Sequence, residues 1–191
     1  MMKIGAVMLA AGQGRRFGSE KLLTDLSGRP VVDHVLDAMA TYRFDAAVGV
    51  VRPDSPVIAR LKGRTIIPAV NRDADLGMGT SLAAGVRALP PVDATFIILA
   101  DMPGLPSWLF GHMVSAMMDT QADIVVPVHG GQQGHPVLFA SRCFADLMEL
   151  HGDTGAKALI RSGVYSVTSV ESDNAGVLRD IDRPDDLDGF R

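Results

Sequence analysis

Thiol chemistry is almost absent from this chain: Cys143 is the single cysteine among 191 residues. One cysteine excludes an intramolecular disulfide and a thiolate zinc cluster, which leaves it the ordinary role of a small hydrophobe. Aromatic residues are also scarce, at 5% with one tryptophan and two tyrosines, and lysines and arginines nowhere form a long tract. Nucleic-acid grooves combine such tracts with stacked aromatics, so no nucleic acid is expected as a partner. Net charge is −4, from 18 Lys+Arg and 22 Asp+Glu, and a small anion needs only a few local cations. The histidines, His34, His112, His129, His135 and His151, have no ligand-like spacing, which argues against zinc. No apolar run approaches the length of a membrane span. The opening MMKIGAVMLAAG is at the short limit for a signal peptide and is followed at once by Arg15, Arg16 and Lys21. The expectation is a soluble, cytoplasmic protein with no membrane partner.

What the chain does have is apolar material, 47% with a mean hydropathy of +0.20, enough for a core in one domain spanning 1–191. Short β-branched runs alternate with amphipathic stretches. The alternation predicts an α/β fold, a single-domain three-layer Rossmann-like arrangement with a mostly parallel central sheet. Strands are predicted at Ile4–Ala11, Ala46–Arg52, Thr65–Val70, Ala94–Ala100 and Asp123–Val128. Helices are predicted at Pro30–Tyr42, Thr80–Leu89, Ser107–Asp119 and Ser141–Leu150. Further on, GGQQGHPVLFA reads as a Gly-rich turn feeding a short strand, and GVYSVTSVE as another strand. No repeat, low-complexity tract or linker divides the chain. The organisation expected is a nucleotide-binding half at 1–105 and an acceptor-binding half at 106–191.

The segment LAAGQGRRFGSEK, Leu9 to Lys21, follows directly on the first predicted strand. Its glycines, Gly12, Gly14 and Gly18, miss the dinucleotide fingerprint because the third falls one residue late, and GSEK is no Walker ending. What remains is the physics of any phosphate loop: glycines admit phosphate oxygens to backbone N–H groups, and nearby cations neutralise them. Asp101 follows the apolar run ATFIILA, at a strand's carboxyl end where a metal bound to phosphates finds its carboxylate. Its alternative is to cap the next helix, for which Ser107 is closer. Asp180 and Asp182, two apart in DIDRPDDL, share a face if extended. Asp185, Asp186 and Asp188 read as the acidic first turn of a last helix.

LAAGQGRRFGSEKLL resembles the signature loop of nucleotidyltransferases with a GT-A-like fold, written L-A-[AG]-G-x-G-x-R-[MF]-G-x-x-K. The blocks DADLGMGTSLAAGV, ILADMPGL, GHPVLF, GDTGAKALI and DIDRPDDL follow in order. Together they resemble the molybdenum cofactor cytidylyltransferase branch of the MobA-like family. The resemblance implies Mg²⁺-dependent transfer of CMP from CTP to the phosphate of a molybdopterin-type cofactor, with a molybdoenzyme or its maturation chaperone as the recipient. It gives Arg16, Lys21 and Asp101 catalytic roles. It gives the nucleotide to Leu9, Ala10, Ala11, Gly12, Gly14, Arg16, Lys21, Gly79, Thr80 and Ser81. The acceptor falls to Gly134, His135, Pro136, Asp153 and Gly155, and the metal to Asp101 with Asp180 or Asp182. Ala11 stands where guanylyl-transferring relatives tend to have Gly, and its Cβ would crowd a purine more than a pyrimidine. Three alternatives stay open: a guanylyltransferase, a sugar- or polyol-phosphate nucleotidyltransferase of the same fold, and a non-catalytic nucleotide- or cofactor-binding protein.

Overall fold

The structure, a computed structural model, describes residues 1–12, 14, 17, 20–153 and 155–190. Among these residues the main sheet has eight strands. They are β1 (Ile4–Leu9), β4 (Ala46–Val51), β5 (Ile67–Val70), β6 (Ala94–Leu99), β7 (Ile124–His129), β8 (Gln132–Gln133), β9 (Val137–Ala140) and β10 (Val167–Glu171). A separate two-stranded ribbon joins β2 (Asp25–Leu26) to β3 (Arg29–Pro30). Strand order is β10-β7-β9-β6-β1-β4-β5, with β8 paired to β7. All neighbours along β6-β1-β4-β5 are parallel, as are β10 and β7, while β9 runs antiparallel between β6 and β7. The mostly parallel sheet expected from the sequence is therefore present, with two reversed strands, β9 inside it and the short β8 against β7.

Alternation along the strands builds the two outer layers. On β1, Ile4, Ala6 and Met8 face one core, and Val7 faces the other. The first core is closed by Val32, Val35, Leu36 and Met39 of α1 (Val31–Ala40), by Val57 and Leu61 of α2 (Val57–Lys62), and by Leu109, Phe110, Met113 and Met117 of α4 (Leu109–Thr120). The second is closed by Leu82 and Val86 of α3 (Met78–Ala88), Leu147 of α5 (Phe144–Met148) and Leu159 of α6 (Lys157–Arg161). Cys143, fully buried, belongs to this second core. A third, smaller cluster of Phe17, Leu26, Val31, Ile181 and Leu187 ties the N-terminal loop to the C-terminal segment.

Several boundaries differ from the sequence-based expectations. β1 stops at Leu9, although the Ala10 N–H still reaches the Val50 carbonyl at 2.8 Å. The helix expected over Ser141–Leu150 divides into a 3-10 turn, Ser141–Cys143, and α5. Ser107 does not cap α4, whose N-terminal flank is Trp108 with no side-chain bond. Residues 180–182 belong to no strand or helix, and the last acids lie in a 3-10 helix, Pro184–Phe190.

Topology fixes where a ligand can enter. From β1 the chain moves outward to β4 and β5, then returns to lay β6 on the other side of β1. The crevice beyond the carboxyl ends of β1 and β6, where Leu9 pairs with Leu99, is thus the switch point of the sheet.

Candidate active site

Two segments leave that switch point side by side. After β1 the chain passes through Ala10 and Ala11, both buried, and reaches Gly12. Phe17 donates its N–H to the Gly14 carbonyl at 2.8 Å and sinks its ring into the third cluster, while Leu22 is buried in the first core. Between these two anchors a short 3-10 turn begins at Lys21. Arg16, together with Arg15 and Gly18, lies outside the described residues.

After β6, Asp101 points into the crevice, and the Lys21 Nζ donates to its Oδ2 at 2.7 Å and to the Asp182 Oδ1 at 3.3 Å. Ile181 donates its N–H to the Asp101 carbonyl at 2.9 Å and buries its side chain completely. The acids that flank it, Asp180 and Asp182, consequently turn the other way. Oxygens of Asp101, Asp180 and Asp182 lie within 4.8 Å of one another. The two late aspartates do come to one side, as expected from the sequence, in a segment that belongs to no strand. Such a set of hard oxygen donors suits Mg²⁺ or Mn²⁺ and not a thiophilic ion.

Electrostatics follow the crowding. Burial works against the Lys21 ammonium, but Asp101 and then Asp182 outweigh it, and the pKa lies above the ordinary lysine range. Asp180 is pushed above the usual carboxylate range, first by burial and then by the like charges of Asp101 and Asp182.

Two cavities meet at Asp180 of this cluster, and Lys21, Asp101 and Asp182 line the smaller one. The smaller, about 490 Å³, is walled by Leu9 to Gly12, by Lys21 and by Ser81. The larger, about 730 Å³, has an apolar floor that includes Ile97 and Val137 and polar walls that include Gly134, His135, Gly155 and Lys157. Leu9, Met78, Leu99, Asp153 and Asp180 line both. Each volume is in the range of a small-molecule site. Pro136 is buried behind the larger cavity, and Gly14 lies off the smaller one.

The block around α3 divides between wall and scaffold. Gly77 has φ +114°, and a Cβ there would stand 2.2 Å from the Gly152 carbonyl carbon, so only glycine fits. Gly79 donates its N–H to the Gly152 carbonyl at 2.9 Å, closing this turn against the segment that carries Asp153. The Thr80 hydroxyl lies 2.9 Å from the carbonyls of Asp73 and Gly77, outside the smaller cavity. Asn71, buried, donates to the hydroxyls of both Thr80 and Ser81 at 3.0 Å. Of this trio only Ser81 faces the smaller cavity. Asn71, Gln132, Gln133 and Arg161 complete the surroundings and were not singled out in the sequence. A polar Asn just after a predicted strand was the one signal available.

His135 has a buried Nδ1 with no hydrogen-bond partner among the described residues. Burial first, and then the charge of Lys157, push its pKa down to about 4, against an opposing pull from Asp101. It is therefore neutral at pH 7, with one ring nitrogen a donor and the other an acceptor, and does not act as a cation.

Comparison with known proteins gives the family of the chain. Residues 6–169 match the family model described as "MobA-like NTP transferase domain". The purine catabolism protein PucB of Bacillus subtilis strain 168 is 31% identical, over 97% of this chain and 94% of its own. The molybdenum cofactor cytidylyltransferase of Escherichia coli K12 is 26% identical, over 98% of this chain and 95% of its own. The crystal structure of Rv0371c from Mycobacterium tuberculosis H37Rv in complex with manganese superposes with a TM-score of 0.82 at 23% identity, covering 99% of this chain and 97% of that one. With a family model spanning most of its length and relatives aligned from end to end, the chain belongs to the MobA-like NTP transferase family and is a nucleotidyltransferase.

Proposed function

We propose that the protein transfers CMP from CTP to the terminal phosphate of a molybdopterin-type cofactor, with Mg²⁺, and releases pyrophosphate. The observation that carries this reading is that a second cavity reaches, at Asp180, the cluster of Lys21, Asp101, Asp180 and Asp182 that lines the first. Two substrates seated there would face each other across the charged groups that phosphoryl transfer needs.

CTP occupies the smaller cavity in this account, its phosphates along Leu9 to Gly12 and its base toward Ser81. Ala11 carries a Cβ on that wall, which favours a pyrimidine over a purine. Lys21, with Arg16 by family position, neutralises the pyrophosphate as it departs. The acceptor lies in the larger cavity against Gly134, His135, Asp153 and Gly155. Its phosphate is already ionised, so no general base is required, and His135 orients it through one neutral hydrogen bond. One acceptor oxygen forms a bond to the α-phosphorus, the bond from that phosphorus to the bridging oxygen breaks, and pyrophosphate carries away the electron pair. Asp101, Asp180 and Asp182 would hold a divalent cation, in keeping with the manganese bound by the mycobacterial protein, and that ion supplies charge stabilisation to the phosphates. The functional halves at 1–105 and 106–191 meet at this seam, where Asp153, Asp180 and Asp182 also reach the smaller cavity.

The test is the thermal unfolding midpoint with CTP, GTP, ATP and UTP, each with and without Mg²⁺. A ligand at a hundredfold its dissociation constant stabilises by about 2.7 kcal/mol, a shift of several degrees. CTP with Mg²⁺ should give the largest rise. A rise with GTP alone would move the protein to the guanylyl branch.

A further inference from the structure

Asp186 does more than its sequence reading as part of a helix's acidic first turn implies. Its Oδ2 accepts the backbone N–H of Asp182 at 2.8 Å and that of Arg183 at 2.7 Å, and its own N–H returns to the Arg183 carbonyl at 3.1 Å. Those two donors, Arg183 first, hold its carboxyl below the ordinary range. Upstream, Ile181 is fixed by complete burial and by the bond to the Asp101 carbonyl. Residues 181–183 are therefore pinned at both ends, and Asp182 lies between the pins. Its side chain is 49% exposed and its Oδ1 accepts from the Lys21 Nζ at 3.3 Å, and the fixed main chain sets the point from which that carboxylate starts.

We propose that Asp186 is a positioning residue of the metal site: one carboxylate oxygen fixes the main chain at Asp182 and Arg183 and thereby aims the Asp182 carboxylate toward Asp101 and Asp180. This rests on the divalent-cation reading above. Groups that orient metal ligands in this way are worth about 10–100-fold in metal affinity.

The test is titration of the full-length protein with Mn²⁺ alone, following free Mn²⁺ by electron paramagnetic resonance, for wild type, Asp186→Ala, Asp186→Asn and Asp101→Asn. Asp186→Ala should weaken Mn²⁺ binding about tenfold, with an unfolding midpoint in the absence of metal within about 2 °C of wild type, as for a surface substitution. Asp186→Asn keeps an amide oxygen that accepts both N–H groups and should stay within about threefold of wild type. Asp101→Asn should lose most of the binding. Wild-type affinity in Asp186→Ala, with binding lost in Asp101→Asn, would overturn the positioning role and leave the site intact. An Asn variant as weak as the Ala variant would assign the effect to charge and overturn it as well. Undiminished binding in Asp101→Asn would remove the metal site itself and the proposal with it.

Discussion

At pH 7 His135 is neutral because burial, reinforced by Lys157 and opposed by Asp101, pushes its pKa down to about 4 from 6.5. Between those values the unfolded chain binds a proton at this residue and the folded chain does not. Stability therefore rises with pH through that window and is lost as the protein is acidified from 6.5 toward 4. His135→Gln keeps a polar group in the cavity and removes the titration. Its midpoint should decline less steeply than wild type over the same pH range; parallel curves would contradict the assigned environment. At the residue scale, part of the site's grouping was legible in the sequence. Lys21 and Asp101, 80 positions apart, and the two late aspartates were all named from residue type and block order, and they converge. Asp186 and Asn71 were not legible as part of the site, because what they do depends on backbone N–H groups and hydroxyls whose directions exist only after folding. Thr80 and Ser81 looked equivalent in sequence, and the turn of the helix sends only Ser81 to the cavity wall.

Among the elements, α3 is held unusually close to the sheet at Gly85. A Cβ there would stand 2.3 Å from Val7 Cγ1 and 2.8 Å from Val50 Cγ2, both on buried strands that cannot yield easily. Gly111 on α4 is the natural control, since a Cβ there meets nothing within 4 Å. Alanine at either position gains up to about 1 kcal/mol of helix propensity, but at Gly85 overpacking costs about 1–3 kcal/mol. Gly85→Ala should lower the unfolding midpoint and weaken nucleotide binding by pushing the first turn of α3 out of register with Gly152, whereas Gly111→Ala should raise the midpoint. Changes of the same sign in both variants would show that close packing does not set the position of α3. Long, strongly patterned elements were legible: β1, β4, β6 and β7 fall within two residues of their expected bounds. The ribbon β2–β3 was missed despite its signal, a Ser27-Gly28 turn with φ of 53° and 84°. α2 was missed because its six residues follow a Pro-rich turn and carry too little periodicity. The reversal of β9 had no signature, since a strand's direction is set by its neighbours.

For the molecule as a whole, strand order makes the site. The return of β6 across β1 opens the crevice, the third cluster folds the C-terminal segment back over it, and the acids of the last block arrive beside Lys21 and Asp101. The sequence alone indicated which residues gather but not that they separate two cavities, because a cavity is a property of many walls. The seam between those cavities is the centre of the functional account, and an acceptor-dependent reaction tests it most directly. The measurement is pyrophosphate release by the purified protein, without oxygen, from each of the four nucleoside triphosphates, with and without molybdopterin and with and without Mg²⁺. The account expects release from CTP in preference to the other three, only when molybdopterin and the divalent cation are both present. Release from CTP at the same rate without molybdopterin, or release from GTP in its place, would contradict it.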